Sequence, residues 1–125
     1  MKTTSLSFKF IDLFSGCGGL SHGLELAGHK CLLGVDADKY AIESFGHNHK
    51  HAQTYLGDIK KLSEAKLKSL LKNQTIDMVV GGPPCQGFST VGRGQVEDER
   101  NQLFKEFVRI VKITKPKVIL FENVT

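Results

Sequence analysis

The chain has 125 residues, 40% of them hydrophobic and 24% charged, which allows one domain at most. This mixture excludes a fibrous or wholly disordered chain, and no apolar run approaches the roughly 18 residues of a membrane helix. The net charge of +4 only slightly favours a polyanionic partner. The first ten residues lack the apolar segment of a secretory signal, and the cysteine count is odd. We therefore expect a reducing, cytoplasmic location.

Short apolar runs alternate with longer segments of helical periodicity. In chain order the predicted elements are a strand at 8–14, a helix at 20–27, a strand at 30–35, a helix at 38–45, a strand at 53–56, a helix around 62–71, a strand at 76–80, a helix at 103–111 and a strand at 118–121. Gly28 and Pro116 end the first and last helices, and Asp38 is placed to cap the second. The order predicts an α/β fold with a mainly parallel, Rossmann-like, doubly wound sheet.

The unusual residues of the sequence follow the predicted strands. They are the glycine turn at 15–19, Asp36, Asp58, the Pro83-Pro84-Cys85 segment and Glu122. The carboxyl ends of parallel strands meet at one edge, and ligands of such sheets bind beyond that edge. These residues are therefore predicted to form one site, and their common location is a stronger indication than any single motif.

Three features of that edge favour a nucleoside ligand. The segment 14–19, FSGCGG, closes a strand and opens a helix whose N-terminus a ligand can approach, unless it is simply a tight turn that needs positive φ angles. Asp36 is placed to accept hydrogen bonds from ribose hydroxyls, with helix capping as the alternative. Asp58 is suited to accept from an adenine amino group, or it is an ordinary turn aspartate. A dinucleotide would need more phosphate donors than this turn offers.

Two positions carry groups suited to catalysis. Pro83 and Pro84 fix the backbone before Cys85, which is predicted to be a nucleophile unless it is a small buried cysteine in a turn. Glu122 follows four apolar strand residues. A carboxyl that is partly removed from water there is suited to act as an acid or hydrogen-bond donor, and a solvated strand-end glutamate is the alternative.

Neither the cysteines nor the histidines indicate a metal site. Cys17, Cys31 and Cys85 form no Cys-x-x-Cys pair, and the first two are interpreted as packing residues. The histidines of segment 47–51, HNHKH, lie in a predicted polar loop without cysteine or carboxylate ligands at useful spacing. We predict no metal.

Four segments stand in a recognisable order: 10–19, FIDLFSGCGG; 81–89, GGPPCQGFS; 98–104, DERNQLF; and 121–124, FENV. Their residues and their order resemble the motifs of the cytosine-5 DNA methyltransferase family. The resemblance extends over nearly the whole chain. Residues 1–125 are therefore interpreted as a partial catalytic domain, incomplete after its first five strands. The family's later arginine motif, target-recognition region and C-terminal helix have no counterpart here.

The resemblance implies a chemistry and a set of site residues. The cofactor would be S-adenosyl-L-methionine, and Cys85 would attack C6 of a cytosine flipped out of duplex DNA. Glu122 would bind the N3 edge of that base, so that C5 can accept the methyl group. The residues implied to form the cofactor site are Phe14, Gly16, Gly18, Gly19, Asp36, Asp58, Ile59 and Pro83. Those implied to contact the substrate are Gln86, Ser89, Arg93 and Arg100, the last being alternatively a surface residue at a helix start.

The resemblance also implies partners and leaves alternatives open. Residues 87–98 would form a mobile loop that closes over the base. Because the DNA-reading region is missing, we expect the chain alone to be inactive or very weakly active, with a complementary C-terminal chain as a possible partner. Duplex DNA of a bacterial restriction–modification system is the expected substrate, and no membrane or metal is expected. The alternatives are an RNA (tRNA) cytosine-5 methyltransferase and a non-catalytic cofactor-binding subunit of a split enzyme.

Overall fold

The computed structural model describes residues 6–83 and 99–122, with only the backbone described at 99 and 100. Five strands pair in parallel in the order β3-β2-β1-β4-β5. The elements in chain order are β1 (Lys9–Leu13), α1 (Gly19–Leu26), β2 (Lys30–Asp36), α2 (Lys39–Asn48), β3 (Gln53–Leu56), a 3₁₀ turn (Ile59–Lys61), α3 (Glu64–Leu70), β4 (Met78–Gly81), α4 (Glu99–Thr114) and β5 (Val118–Phe121). The predicted α/β, Rossmann-like architecture is confirmed.

Helices cover both faces of the sheet, which explains why its central strands are apolar on both sides. On one face, Ile11 of β1 packs in a buried cluster with Leu67 of α3 and Phe107 of α4. On the other face, Phe10 of β1 packs with Phe45 of α2. Neighbouring residues of one strand thus serve two cores, as the period of two in a strand requires.

The helix boundaries differ from the predicted ones, most of all at α4, which runs over Glu99–Thr114 where 103–111 was predicted. Asp38 caps α2 as predicted, since its Oδ1 accepts from the amides of Tyr40 at 2.8 Å and Ala41 at 3.1 Å. However, α2 continues to Asn48, three residues past the predicted end, so the start of the histidine segment is helical. A 3₁₀ turn at Ile59–Lys61, which the sequence pattern did not indicate, separates β3 from α3.

The order of strand addition reverses between β1 and β4. From β1 the chain adds β2 and β3 on one side, and then β4 and β5 on the other. Leu13 pairs with Gly81 at the carboxyl ends of these two strands. A Cβ atom on Gly81 would lie only 2.3 Å from the carbonyl oxygen of Leu13, so this spacing requires glycine. In doubly wound sheets the ligand binds in the crevice at such a reversal.

The β5 edge of the sheet contrasts with its centre. All four residues of β5 are exposed, and Ile119 is 51% exposed although its partner Val79 in β4 is fully buried.

No described helix has the length and apolar character needed to cross a bilayer.

Candidate functional site

Two cavities open at the carboxyl edge of the sheet, and both include Phe14 and Gly82 in their walls. The larger has a volume of about 530 Å³ and is lined by Phe14, Val35, Asp36, Ala37, Gly57, Asp58, Ile59, Gly82 and Leu103. The smaller, of about 290 Å³, is lined by Asp12, Phe14, Ser15, Gly16, Cys17, Gly19, Leu20, Gly82 and Glu122. Most of the predicted site residues that the structure describes therefore meet around one crevice.

The turn after β1 is built from left-handed backbone conformations. Phe14, Gly16 and Gly18 have φ angles of 59°, 58° and 95°. The amide of Gly18 donates to the carbonyl of Ser15 at 3.1 Å, which closes the turn before α1 begins at Gly19. Gly18 itself is buried and lines neither cavity, whereas Gly16 and Gly19 line the smaller one.

Asp36 connects two loops at the end of β2. Its Oδ2 accepts from the amide of Gly16 at 2.9 Å, and its Oδ1 accepts from the amide of Asp38 at 2.8 Å. It is the last residue of β2, whereas the sequence placed it just past the strand. A carboxylate has about four acceptor positions, so roughly two remain for ligand hydroxyls.

Asp58 and Ile59 form the opposite side of the larger cavity. Asp58 caps the 3₁₀ turn, accepting from the amide of Lys60 at 2.9 Å, and its Oδ2 lies 4.0 Å from the Lys60 ammonium. Ile59 is 4% exposed and contributes an apolar wall. Asp58 is thus the turn aspartate of the alternative interpretation, and it also faces the cavity.

Glu122 follows β5, and its amide donates to the carbonyl of Gly81 at 2.9 Å. Its side chain lines the smaller cavity, which brings it to the crevice as predicted. Glu122 is exposed in the part of the chain that the structure describes, so the expectation that its carboxyl is partly removed from water is wrong. The reason is its position after the outermost strand, which has a described neighbour on one side only.

Several predicted site residues lie outside the described part of the chain. Pro83 is described and buried, directly after β4. Arg100 lies in the first turn of α4, where only the backbone is described. The residues outside the description are Cys85, Gln86, Ser89 and Arg93, together with the predicted loop 87–98.

Asp12 is a residue of the smaller cavity that the sequence analysis did not single out. It is 2% exposed, and its Oδ2 accepts from the hydroxyl of Ser21 at 2.6 Å. Burial raises the pKa of Asp12 from 3.8 to about 6, although the Ser21 hydrogen bond acts in the opposite direction. The signal available in the sequence was a carboxylate in the middle of an apolar strand.

The two described cysteines differ. Cys31 is fully buried, and burial raises the pKa of its thiol to about 12, which agrees with the predicted packing role. For Cys17 that prediction is wrong, because Cys17 is exposed and lines the smaller cavity. The glycine turn projects beyond the sheet edge, so Cys17 in its middle lies outside the core.

The histidine segment also differs from its predicted loop. His47 is helical, and His49 is 1% exposed with its Nδ1 at 2.6 Å from the Glu25 carboxylate. The sequence analysis did not anticipate this contact between residues 24 positions apart. Within 6–83 and 99–122, no three histidine, cysteine or acidic side chains are arranged to hold a metal ion.

Comparison with known proteins places this geometry in a family. Residues 8–125 match the profile described as C-5 cytosine-specific DNA methylase. The chain is 43% identical over 122 residues to the type II methyltransferase M1.HphI of Haemophilus parahaemolyticus, covering 95% of this chain and 33% of that protein. It is 42% identical over 125 residues to M.NgoPII of Neisseria gonorrhoeae, covering 98% and 35% of the two chains.

Solved structures agree with the sequence matches. A protein described as a DNA modification methyltransferase encoded within an E. coli prophage superposes with a TM-score of 0.81 at 40% identity, covering 94% of this chain and 32% of that one. The Dnmt2 methyltransferase of S. pombe, at 23% identity and a TM-score of 0.69, shares the fold. The chain spans about a third of the length of the curated relatives named here. By its match from residue 8 to residue 125, the chain belongs to the C-5 cytosine-specific DNA methylase family.

Proposed function

We propose that this chain carries the cofactor-binding and cysteine-bearing part of an enzyme that transfers a methyl group from S-adenosyl-L-methionine to C5 of cytosine in DNA. One observation carries the proposal: four residues from the carboxyl ends of three different strands converge on the larger cavity, namely Phe14, Asp36, Asp58 and Ile59. The family match supplies the reaction class.

The hydrogen-bond acceptors and the walls of the two cavities fit the proposed cofactor. Phe14 and Ile59 offer apolar surfaces for a purine, and the carboxylates of Asp36 and Asp58 offer acceptors for ribose hydroxyls and an amino group. The smaller cavity lies beside the start of α1, whose positive dipole end suits the carboxylate of the amino-acid part. When bound, S-adenosyl-L-methionine supplies an electrophilic methyl group.

The chemistry is proposed for Cys85 and Glu122, of which Glu122 is described and lies at the smaller cavity. The Cys85 thiolate forms a bond to C6 of a flipped cytosine, while Glu122 holds the N3 edge and donates a proton or hydrogen bond to it. C5 gains nucleophilic character and would take the methyl group as its bond to the cofactor's sulfur breaks, which would leave S-adenosylhomocysteine as the second product. Loss of the C5 proton and breakage of the bond between C6 and Cys85 then release 5-methylcytosine. Gln86, Ser89, Arg93 and Arg100 are proposed substrate contacts.

We also propose a protein partner for this chain. The four apolar residues of β5 are exposed at the sheet edge, where an unpaired strand readily takes up another segment. The curated relatives are about three times as long as this chain. We propose that a complementary chain or segment, equivalent to their remaining two-thirds, covers β5 and reads DNA. With bacterial type II methyltransferases as relatives, the proposed place of action is the cytoplasm.

Calorimetric titration of this chain with S-adenosylhomocysteine tests the cofactor site. We expect saturable binding, weakened at least about tenfold in Asp36→Ala because that carboxylate organises the glycine turn and faces the ligand. Asp77→Ala is the matched control, since the Asp77 carboxylate also accepts a backbone hydrogen bond, from Lys9 at 2.9 Å, but at the amino edge of the sheet. Equal binding by the wild type and Asp36→Ala, or no binding at all, would contradict the proposed site.

A chimera tests the base chemistry. Residues 1–125 joined to the remaining part of M1.HphI are incubated with cofactor and duplex DNA that contains 5-fluorocytosine, which blocks loss of the C5 substituent. We expect a covalent adduct that survives denaturation and is absent in Cys85→Ser. Native M1.HphI is the positive control, and the same assay on tRNA separates the RNA alternative. A stable adduct in Cys85→Ser would exclude the proposed nucleophile.

A further inference from the structure

A pair of side chains beneath the glycine turn takes no part in lining either cavity. His49 follows α2 and is 1% exposed, with its Nδ1 at 2.6 Å from Oε1 of Glu25 in α1. Its Nε2 lies 3.2 Å from the carbonyl oxygen of Gly18. The second oxygen of Glu25 contacts His51, which is half-exposed. The pair therefore links α1, the end of α2 and the turn.

The hydrogen-bond partners define the protons on His49. A carbonyl oxygen only accepts, so Nε2 must carry a proton and donate it to Gly18. Partial burial opposes ionisation of Glu25, yet the hydrogen bonds from His49 and His51 hold its pKa below the ordinary value. An ionised carboxylate also only accepts, so Oε1 of Glu25 is an acceptor that faces Nδ1 and fixes the direction of the ring.

Close contacts restrict the position of the His49 ring. A Cβ atom on Gly18 would lie 2.5 Å from Nε2 of His49, so the ring is in close contact with the turn. The ring also contacts Phe45 in a tilted arrangement, with centroids 4.6 Å apart and the ring planes at 35°. α1 has no side-chain cap at Gly18, whose carbonyl also accepts from His22 at 2.8 Å. His49 is thus the side chain that fixes the orientation of this peptide group.

We propose that Glu25 and His49 are positioning residues for cofactor binding: Glu25 orients the His49 ring, and the proton on Nε2 holds the Gly18 carbonyl, which sets the turn that the cofactor contacts. This inference rests on the proposed function, since it assumes that the turn binds S-adenosyl-L-methionine. The two side chains act through the backbone and do not touch the ligand.

Four variants separate the proposed hydrogen bonds from simple packing. His49→Gln places an amide donor near the position of Nε2, and Glu25→Gln preserves an acceptor for Nδ1; both should retain the turn. His49→Asn reaches only the position of Nδ1 and loses the bond to Gly18, and Glu25→Ala loses the group that orients the ring. His51→Ala, at the exposed side of Glu25, is the control.

Titration with S-adenosylhomocysteine gives the first readout. We expect His49→Asn and Glu25→Ala to bind about tenfold more weakly than the wild type, and His49→Gln, Glu25→Gln and His51→Ala to bind within about threefold of it. Equal binding by His49→Asn and the wild type overturns this inference alone, as does an equal loss in His49→Asn and His49→Gln. Absence of binding by the wild type overturns the proposed function and this inference with it.

Nitrogen-15 spectra of the histidine rings give a readout that needs no cofactor. In the wild type, we expect Nε2 of His49 to carry a proton that is protected from exchange and correlated to the Gly18 region. Glu25→Ala should lose that protected proton. A neutral His49 ring with a bare Nε2 contradicts the assigned hydrogen bond and overturns the inference even where the chain binds S-adenosylhomocysteine.

Discussion

The β1–β2 side of the crevice and its β5 side present carboxylates in different states. Asp36 accepts two backbone hydrogen bonds and Asp12 accepts one from Ser21, so both are held within the fold. Glu122, on the β5 side, is exposed after a strand whose four residues are exposed. The β1–β2 side is therefore organised by the described residues themselves. We infer that the β5 side gains its final shape from protein beyond them.

The largest expected effect tests how firmly the β1–β2 side is organised. Gly18→Ala places a methyl group 2.5 Å from His49 and forces a left-handed residue, at a combined cost of about 3 kcal/mol in the free energy of unfolding. Gly16→Ala is the matched control, because Gly16 also has a positive φ but nothing lies within 4 Å of its added Cβ. It should cost only about 1–2 kcal/mol. Urea unfolding of the two variants measures the difference, and equal losses would show that His49 does not restrict the turn.

A somewhat smaller effect concerns the buried carboxyl of Asp12. Its pKa is raised in the folded chain, so its contribution to stability is complete below about pH 4 and is lost as the pH rises through about 6. Above that range the ionised, buried group costs roughly 3 kcal/mol. Asp12→Asn keeps an acceptor for Ser21 without a charge. It should be more stable than the wild type by roughly 2–3 kcal/mol near pH 7.5 and about equal near pH 4.

Thermal or urea unfolding across pH measures this, and Ser21→Ala provides an internal check. Removal of the Ser21 hydroxyl takes away a hydrogen bond that favours the ionised form of Asp12, so the pH range of the stability change should move upward. A pH profile of Asp12→Asn that coincides with the wild type would show that folding leaves the pKa of Asp12 unchanged, which would contradict the effect expected from its burial.

The smallest expected effect is on the β5 side. Ile119→Thr alters an exposed side chain and should change the free energy of unfolding by less than about 0.5 kcal/mol. Val79→Thr makes a similar change at its fully buried partner in β4 and should cost about 1–3 kcal/mol, since it buries a hydroxyl. In a complementation assay with a C-terminal chain the order should reverse, with Ile119→Thr impairing assembly. Unaffected assembly would argue against β5 as the contact surface.

The positions of Asp36 and Asp58 could be predicted from the sequence, because local residue patterns indicate where strands end. A run of apolar residues closed by glycine or aspartate places Asp36 and Asp58 at the same edge once the strands are parallel. The cap at Asp38 is equally local, since it depends on neighbours within three residues. Periodicity was therefore sufficient for the architecture and for the outline of the larger cavity.

The remaining features depend on contacts between distant residues. His49 reaches Gly18 across 31 positions, and no pattern near residues 47–51 distinguishes a buried histidine from one in a loop. Exposure of Cys17 and Glu122 depends on how far the turn and the edge strand project from the core, which composition does not encode. Asp12 was visible as an acid in an apolar strand, but its burial required the position of Ser21.

The contact between Gly81 and Leu13 has a consequence for how this chain tolerates change. At the reversal of strand order, β1 and β4 lie so close together that only a residue without a Cβ atom fits at position 81. Any side chain there would push β1 away from β4. In a saturation mutagenesis screen, Gly81 should therefore accept no replacement, although it has no reactive group. Such intolerance would show that the distance between the backbones of β1 and β4 restricts this position.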